Sequence, residues 1–362
     1  MKNRLTRLAA ALLVLCLLCP CLFACAETGD PVLAYKNAKI TDDVYRYWMA
    51  CYRAQFAAAE TEENRARLAE IAHANIARSL ICVGLFDGYG LRLDTAARDI
   101  VNEAVASIEE SLGGRAELEK ALAVWGMDIN GLKTAITHEQ KASALRDYLF
   151  GENGVYAISE EMAEEYYQES YARVYMIFIP YVDFETDADG NRIFDPLTQS
   201  YRYKQKSAPK LEVQQYRAAT VRAAVTAEGG ITQEAFLALA KDYNEDESAK
   251  SYENGYFFGK NEDYSTYIRE IPAAALAMKV GEVHELTSEY GVHFLFRAES
   301  TKGAYADDKN ADFFGEFDSN LKAYAYERLI TAELPFVTVT DPALLSSIRY
   351  EEIEPNYGVY WG

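Results

Sequence analysis

Residues 236–260, FLALAKDYNEDESAKSYENGYFFGK, and 278–299, MKVGEVHELTSEYGVHFLFRAE, decide how this chain is read. The first segment starts as a short amphipathic helix at Phe236, crosses an acidic loop and enters a glycine-punctuated aromatic strand. In the second, a strand begins at Lys279-Val280-Gly281-Glu282-Val283. A turn at Tyr290-Gly291 then feeds Val292-His293-Phe294-Leu295-Phe296, which carries one of only 4 histidines. A second short helix is expected between the two segments, and the end of the stretch is expected to close as a hairpin.

Outward from this stretch the periodicity is mostly helical. A short strand over 31–35 and a turn at Asn37-Ala38-Lys39 lead into a helix with Thr41 as N-cap and Asp42 and Asp43 in its first turn. Tyr45, Trp48, Met49 and Tyr52 recur on one face and are read as core. Further helices are expected over 61–88 with Thr61 as N-cap, over 95–112 up to Gly113-Gly114, over 115–125 and over 130–150. Ser159 caps another, which carries Tyr166, Tyr167 and Tyr171 into a central strand over 174–179. Asp187-Ala188-Asp189-Gly190-Asn191 has the acid spacing that opens a calcium loop, but no glutamate closes it, so it is read as a hairpin turn. Helices follow over 211–227 and, capped by Thr232, over 233–243. After the deciding stretch come a helix over 312–332, a strand over 336–339 and a loosely ordered tail over 350–362.

A length of 362 residues favours two domains. With 50% hydrophobic and 25% charged residues, the composition is that of ordinary globular proteins. Its 27 tyrosines suit grooves in which a ring is buried while its hydroxyl stays wet. Residues 1–25 read as a secretory leader, with Lys2, Arg4 and Arg7 ahead of an apolar run over 8–23. Leu22-Phe23-Ala24-Cys25 has the form of a lipobox, which would lipidate Cys25, whereas Ala24-Cys25-Ala26 fits ordinary cleavage after Ala26. Both readings export the protein, and the first anchors it to the outer face of the cell membrane. Removing the leader takes away three basic residues and no acid, leaving 33 against 56 and a net charge of −23. That balance argues against nucleic acid as a partner and against binding to an anionic membrane surface by charge. Only Cys51 and Cys82 remain outside the leader region, in apolar helical contexts that suit small buried hydrophobes.

The familiar enzyme motifs are missing. There is no phosphate-cradling glycine loop, no Gly-x-Ser-x-Gly elbow and no His-Glu-x-x-His helix. His73 and His138 lie in separate helices and are read as surface or core residues. No cysteine pair has metal-ligand spacing, and neither a metal nor a cofactor is expected.

The order and spacing of several short motifs resemble the parvulin-type peptidyl-prolyl isomerases. They are Leu239-Ala240-Lys241-Asp242-Tyr243-Asn244-Glu245-Asp246, Ser248-Ala249, Gly255-Tyr256-Phe257, Leu276-Ala277-Met278-Lys279-Val280-Gly281-Glu282-Val283 and Gly291-Val292-His293-Phe294. The segment over 32–47 and Ile158-Ser159-Glu160-Glu161 with Tyr166-Tyr167 extend the likeness to exported foldases of the SurA/PrsA type. The resemblance implies an α+β protein. A helical chaperone domain would be built from both flanks (31–170 and 301–345), around an inserted parvulin-like domain over 171–300 with a small antiparallel sheet, and 346–362 would be a tail. It implies an exported peptidyl-prolyl cis–trans isomerase acting on unfolded or proline-containing polypeptides. The alternative is a non-catalytic chaperone with a degenerate parvulin domain.

Carried over by motif, Asp246, His293 and Thr287 would form the catalytic network, while Met176, Phe257, Tyr267, Ile271 and Met278 would line the substrate pocket. The chain departs from the family at four places. Met176 stands where the first of two histidines is usual, and Ile271 replaces a pocket phenylalanine. Glu253-Asn254-Gly255 shortens a glycine-rich turn, and an insertion around 184–209 separates the first strand from its helix.

Overall fold

The computed structural model describes residues 29–197, 200–264 and 267–359. The leader, including Cys25 and the alternative cleavage point at Ala26, lies outside the described residues. Helices and small antiparallel sheets are mixed, which is an α+β composition. The chain separates into two compact units, Met1–Tyr156 with Tyr326–Gly362, and Ala157–Ala325.

The first unit opens with strands β1 (Pro31–Tyr35) and β2 (Ala38–Thr41), a hairpin that turns at Lys36, whose φ is 51°. Helices α1 (Asp42–Phe56), α2 (Arg65–Gly88), α3 (Thr95–Ser111), α4 (Arg115–Ala123) and α5 (Ile129–Phe150) follow. α1 buries Tyr45, Trp48 and Met49, as its spacing predicts, while Thr41 makes no side-chain capping bond. α2 begins four residues later than expected. Thr61 and Asn64 bond each other's backbone amides (Asn64 Oδ1 at 2.8 Å, Thr61 Oγ1 at 3.3 Å), and that local ring closes a turn ahead of the helix. α2 is long and apolar enough to cross a membrane by length and composition, yet Ile76, Leu80 and Ile81 are core residues here. At Gly84 it passes so close to β1 that a Cβ would sit 2.5 Å from the Tyr35 ring.

The second unit runs from α6 (Glu160–Ser170), capped by Ser159, into β3 (Tyr171–Pro180) and β4 (Val182–Phe184). β5 (Phe194–Asp195), β6 (Ser200–Tyr201) and β7 (Tyr203–Gln205) belong to the inserted arm. α7 (Ala208–Val225), α8 (Gln233–Tyr243), β8 (Tyr256–Gly259), α9 (Glu270–Ala277), β9 (Val283–Ser288) and β10 (Gly291–Ala298) complete the series. Four strands form an antiparallel sheet in the order β8-β3-β10-β9. Period-two alternation gives this sheet two faces. Ile177, Ile179, Val292, Phe294 and Phe296 face α7 and α8 and pack on Val221 and Phe236. Val174, Met176 and Leu295 face the other way and pack with Ile271 and Ala275 of α9.

Two expected boundaries move. The resemblance groups α6 and residues 301–325 with the helical flanks. Tyr166 and Tyr167, however, share one aromatic core with Tyr171, Phe257, Phe313, Phe314 and Phe317 of the second unit. Large rings follow the cluster that buries most of them, whatever their place along the chain. The division at 325/326 falls within α10 (Phe317–Glu333), and β11 (Thr338–Val339) pairs with β1 in the first unit.

The C-terminal segment is also firmer than expected. After α11 (Pro342–Ser347), Ile348, Ile353 and Val359 are buried in the first unit. Tyr47 donates its hydroxyl to Val359 O at 2.8 Å, Trp125 donates Nε1 to Glu354 O at 2.8 Å, and Asn356 N donates to Ala50 O at 3.0 Å. Its aromatic and acidic composition reads as solvated only until those partners are known.

Candidate functional site

The site lies on the Met176 face of the second unit's sheet. β10 pairs with β3 so that Leu295 is opposite Met176 and His293 opposite Phe178. All four side chains therefore share one face. The His293 ring stacks on Phe178 with centroids 4.4 Å apart and planes 14° from parallel. His293 is 2% exposed. Its Nε2 lies 2.9 Å from Ser288 Oγ, and its Nδ1 is buried without a hydrogen-bond partner among the described residues. Burial disfavours the charged imidazolium and lowers its pKa to about 4, so the ring is neutral at physiological pH.

Asp246 arrives from the loop after α8. β8 stops opposite Val174, which leaves the next stretch of β3 without a strand on that side. The loop takes over the main-chain groups of Phe178 there. Asn244 Oδ1 accepts from Phe178 N at 2.8 Å and from Asp246 N at 3.0 Å, and Glu245 N donates to Phe178 O at 2.9 Å. Fixed in this way, Asp246 accepts from Ser248 N at 3.1 Å through Oδ1 and from the Tyr256 hydroxyl through Oδ2. Burial, with Asp246 beside it, pushes the Tyr256 phenol well above its usual range, so the phenol keeps its proton and donates a hydrogen bond to Asp246.

Between these two hydrogen-bonded pairs is a cavity of about 280 Å³. Met176, Phe178, Ile271, Tyr267 and Ile268 supply its apolar walls, and Asp246, Tyr256 and His293 its polar ones. Tyr201, Tyr267, Ile268 and Tyr290 also border a wider groove of about 1070 Å³. Lys260, Glu262, Arg269, Glu270 and Glu289 add charged groups to that groove.

The structure thus brings Asp246, His293, Met176, Tyr267 and Ile271 to one cavity. Three expected residues lie elsewhere. Thr287 is exposed on β9 and pairs opposite Val292, so pleating turns it to the face opposite His293, and it borders only the wider groove. Its neighbour Ser288 holds the imidazole. Phe257 is fully buried, with ring centroids 5.4 Å from Phe314 and 5.8 Å from Phe313, and Tyr256 lines the cavity in its place. Met278 ends α9 inside the same aromatic core and does not border the cavity.

Sequence reasoning missed the site roles of Ser288 and Tyr256, and found the insertion around 184–209 without placing it at the cavity. For Ser288 a signal existed, because a two-residue turn at Glu289-Tyr290 pairs Ser288 with Gly291 and Leu286 with His293. Counting parity from His293 then selects Ser288 over Thr287. The arm had no such signal. It folds back through β4–β7 and β5–β6 pairings, and its Phe184, Arg192 and Tyr201 become walls of the cavity. The turn read at Asp187–Asn191 is formed, with Asp187 Oδ1 accepting from Asp189 N and Asn191 N at 2.9 Å each.

No protein-family model and no curated protein matches the chain. Among solved structures, it is similar to the foldase protein PrsA from Streptococcus pneumoniae str. Canada MDR_19A, at 14% identity and a TM-score of 0.22, over 88% of this chain and 98% of that one. PrsA from Bacillus subtilis is 17% identical with a TM-score of 0.21, over 75% of this chain and 84% of that one. A peptidylprolyl isomerase (PrsA) from Bacillus cereus is 13% identical with a TM-score of 0.23, over 89% of this chain and 100% of that one.

Proposed function

We propose that the chain is an exported foldase whose second unit is a peptidyl-prolyl cis–trans isomerase. One observation carries this reading: a small cavity with an apolar floor flanked by two hydrogen-bonded polar pairs, Asp246–Tyr256 and His293–Ser288, beside a groove of about 1070 Å³. An X-Pro bond turns over a barrier of about 18–20 kcal/mol and takes roughly tens to hundreds of seconds unaided. No covalent intermediate is needed. A site that fits the twisted amide better than either planar form lowers the barrier by differential binding.

In this reading the proline ring sits against Met176, Phe178, Ile271 and Tyr267, while the groove holds the flanking residues. The twisted amide no longer shares its nitrogen lone pair with the carbonyl. The polar pairs then respond to the changed dipole from fixed positions, with little reorganisation. His293, being neutral, does this without adding a charge of its own to the cavity that Asp246 also lines.

A protease-coupled isomerisation assay on a proline-containing peptide tests the proposal. The wild type is expected to accelerate the reaction, with Asp246→Ala and His293→Ala each slower by about 10- to 100-fold, the scale of one lost transition-state contact. A wild-type rate equal to that of buffer would sink it.

Met176 favours a second reading, a non-catalytic chaperone. A thioether is only a weak acceptor where a second imidazole would both donate and accept. Suppression of client aggregation by the full chain and by His293→Ala alike, with no isomerisation by either, would select this reading. For export, the lipidation proposal at Cys25 predicts that Cys25→Ala moves the protein from the membrane fraction to the medium. An unchanged distribution would favour ordinary cleavage.

A further inference from the structure

The outer edge of β9 is the part of the second unit's sheet that the isomerase reading leaves unused. In the order β8-β3-β10-β9, β8 and β9 are the two edges. β8 is short and covered. It has four residues, the Tyr264 hydroxyl accepts from Gly259 N, and the Phe313 ring packs 5.8 Å from that of Phe257. β9 has six residues and pairs with β10 in an unbroken register from Val283 to Ser288. Its sequence, VHELTS, holds none of the prolines or lysines that commonly blunt an edge. Its one carboxylate, Glu285, is drawn onto α7 by Arg222 at 2.8 Å.

The register fixes which main-chain groups of this edge are free. Arg297 N donates to Glu282 O at 2.9 Å, and the two-residue turn pairs Ser288 with Gly291. By the alternation of an antiparallel ladder, His284, Leu286 and Ser288 then turn their main chain to β10, while Val283, Glu285 and Thr287 turn theirs outward. Among the described residues those outward groups have no hydrogen-bond partner. Three N–H and three C=O groups at ladder spacing are complementary to another extended main chain. The edge also ends at the site. Thr287, Ser288 and Glu289 border the wide groove, which Pro272, Ala273 and Leu276 of α9 line as well, and Ser288 holds His293 in the cavity wall.

We propose that β9 takes up the client chain beside the proline as a fifth, antiparallel strand, so that the site holds extended polypeptide by its main chain. The proposal rests on the isomerase reading for the proline and adds how the rest of the client is held. Proline has no N–H to give a ladder, so the added strand lies to one side of it. Every other pair in this sheet is antiparallel. β9 runs towards the cavity, so an antiparallel client runs away from it, and the strand is formed by the residues that follow the proline. Thr287 then serves through its backbone and not its hydroxyl.

The test uses the full chain, the tetrapeptide Ala-Ala-Pro-Phe and a labelled nonapeptide that extends it by Ser-Val-Ser-Val-Ser. Isomerisation rate, fluorescence anisotropy and hydrogen–deuterium exchange are read. Wild type is expected to bind the nonapeptide about tenfold more tightly than the tetrapeptide, with exchange over 283–287 slowed on binding. Only alternate client amides reach β9, so N-methylation separates two sets: the first, third and fifth residues after the proline, and the second, fourth and sixth. One set is expected to bring affinity down to that of the tetrapeptide, the other to change it by less than about twofold. Thr287→Pro, which removes an outward N–H where an edge tolerates proline, is expected to weaken nonapeptide binding by about tenfold. Its melting temperature checks the fold, and the methylated sets decide on wild-type protein if it melts early. Equal losses from both sets, or exchange over 283–287 unchanged by the nonapeptide, overturns the proposal. Protection present without peptide and rising with protein concentration assigns the edge to a second copy and overturns it too. No acceleration of the tetrapeptide, with one methylated set still weakened, upholds the edge and sinks the catalysis. Acceleration of the tetrapeptide, with the nonapeptide bound no more tightly, does the reverse.

Discussion

His293 shows how burial sets chemistry one side chain at a time. Stacked on Phe178 and enclosed by the sheet, its imidazole cannot afford a charge, so its pKa falls from 6.5 to about 4. Two outcomes follow with defined signs. Isomerase rate is expected to stay flat from pH 8 to about 5 and to fall only as His293 protonates. A rate–pH profile with a midpoint near 6.5 would instead mean an exposed ring. For stability, the unfolded chain takes up the proton first, so the contribution of His293 is intact above about pH 6.5. It drains away as pH falls towards 4, by up to about 3 kcal/mol. Urea titrations between pH 7 and 4.5 should show this slope in wild type and a shallower one in His293→Gln. The hydroxyl assignment is tested in the same assays. Ser288→Ala is expected to slow isomerisation by about tenfold, because it frees a ring that is otherwise held in place, while Thr287→Ala stays within about twofold. The opposite ranking would restore the motif-based assignment.

At the scale of elements, the loop over 244–246 matters as much as the strands. Asn244 accepts two backbone amides with one carbonyl, tying the Asp246 loop to β3 at the point where β8 has ended. Asn244→Ala should leave two donors unpaired and cost about 2 kcal/mol, together with a larger loss of kcat than of substrate affinity. Denaturant titration and steady-state kinetics check the two parts. Asn244→Asp, which keeps both acceptor bonds, should lie between them. The inserted arm is a second such element. Tyr290 anchors it, accepting from Tyr201 N at 3.0 Å and packing with Phe184 and Tyr203. An aromatic cluster thus does for this arm what a long hydrogen-bond ladder does for the sheet.

At the scale of the molecule, the C-terminal segment decides the first unit's stability. Deleting 350–362 removes buried Ile353 and Val359 and strips hydrogen-bond partners from Tyr47 and Trp125. The expected loss is about 4 kcal/mol, or roughly a 10 °C fall in the melting temperature of that unit. Trp48 and Trp125 both lie in it, so tryptophan fluorescence reports the change directly. An unshifted fluorescence melt would show that the segment is not part of the fold.

Local rules made much of this protein legible from its sequence. Period and capping located the helices, and Ser159 and Thr232 cap theirs at 3.2 Å each, as their position ahead of the apolar runs predicts. A dense run of β-favouring residues located β3, turn chemistry located the closing hairpin, and the two together marked the neighbourhood of His293. Three things were decided only in three dimensions. Which aromatic of β8 reaches the cavity depends on its register with β3: Tyr256 stands opposite Val174, on the Met176 face, and Phe257 opposite Arg173, on the other. The tail is ordered by acceptors and donors some 300 residues away in the chain. Arg192 enters the site because the inserted arm folds back on itself, and hydrophobic period carries no information about contacts between segments so arranged.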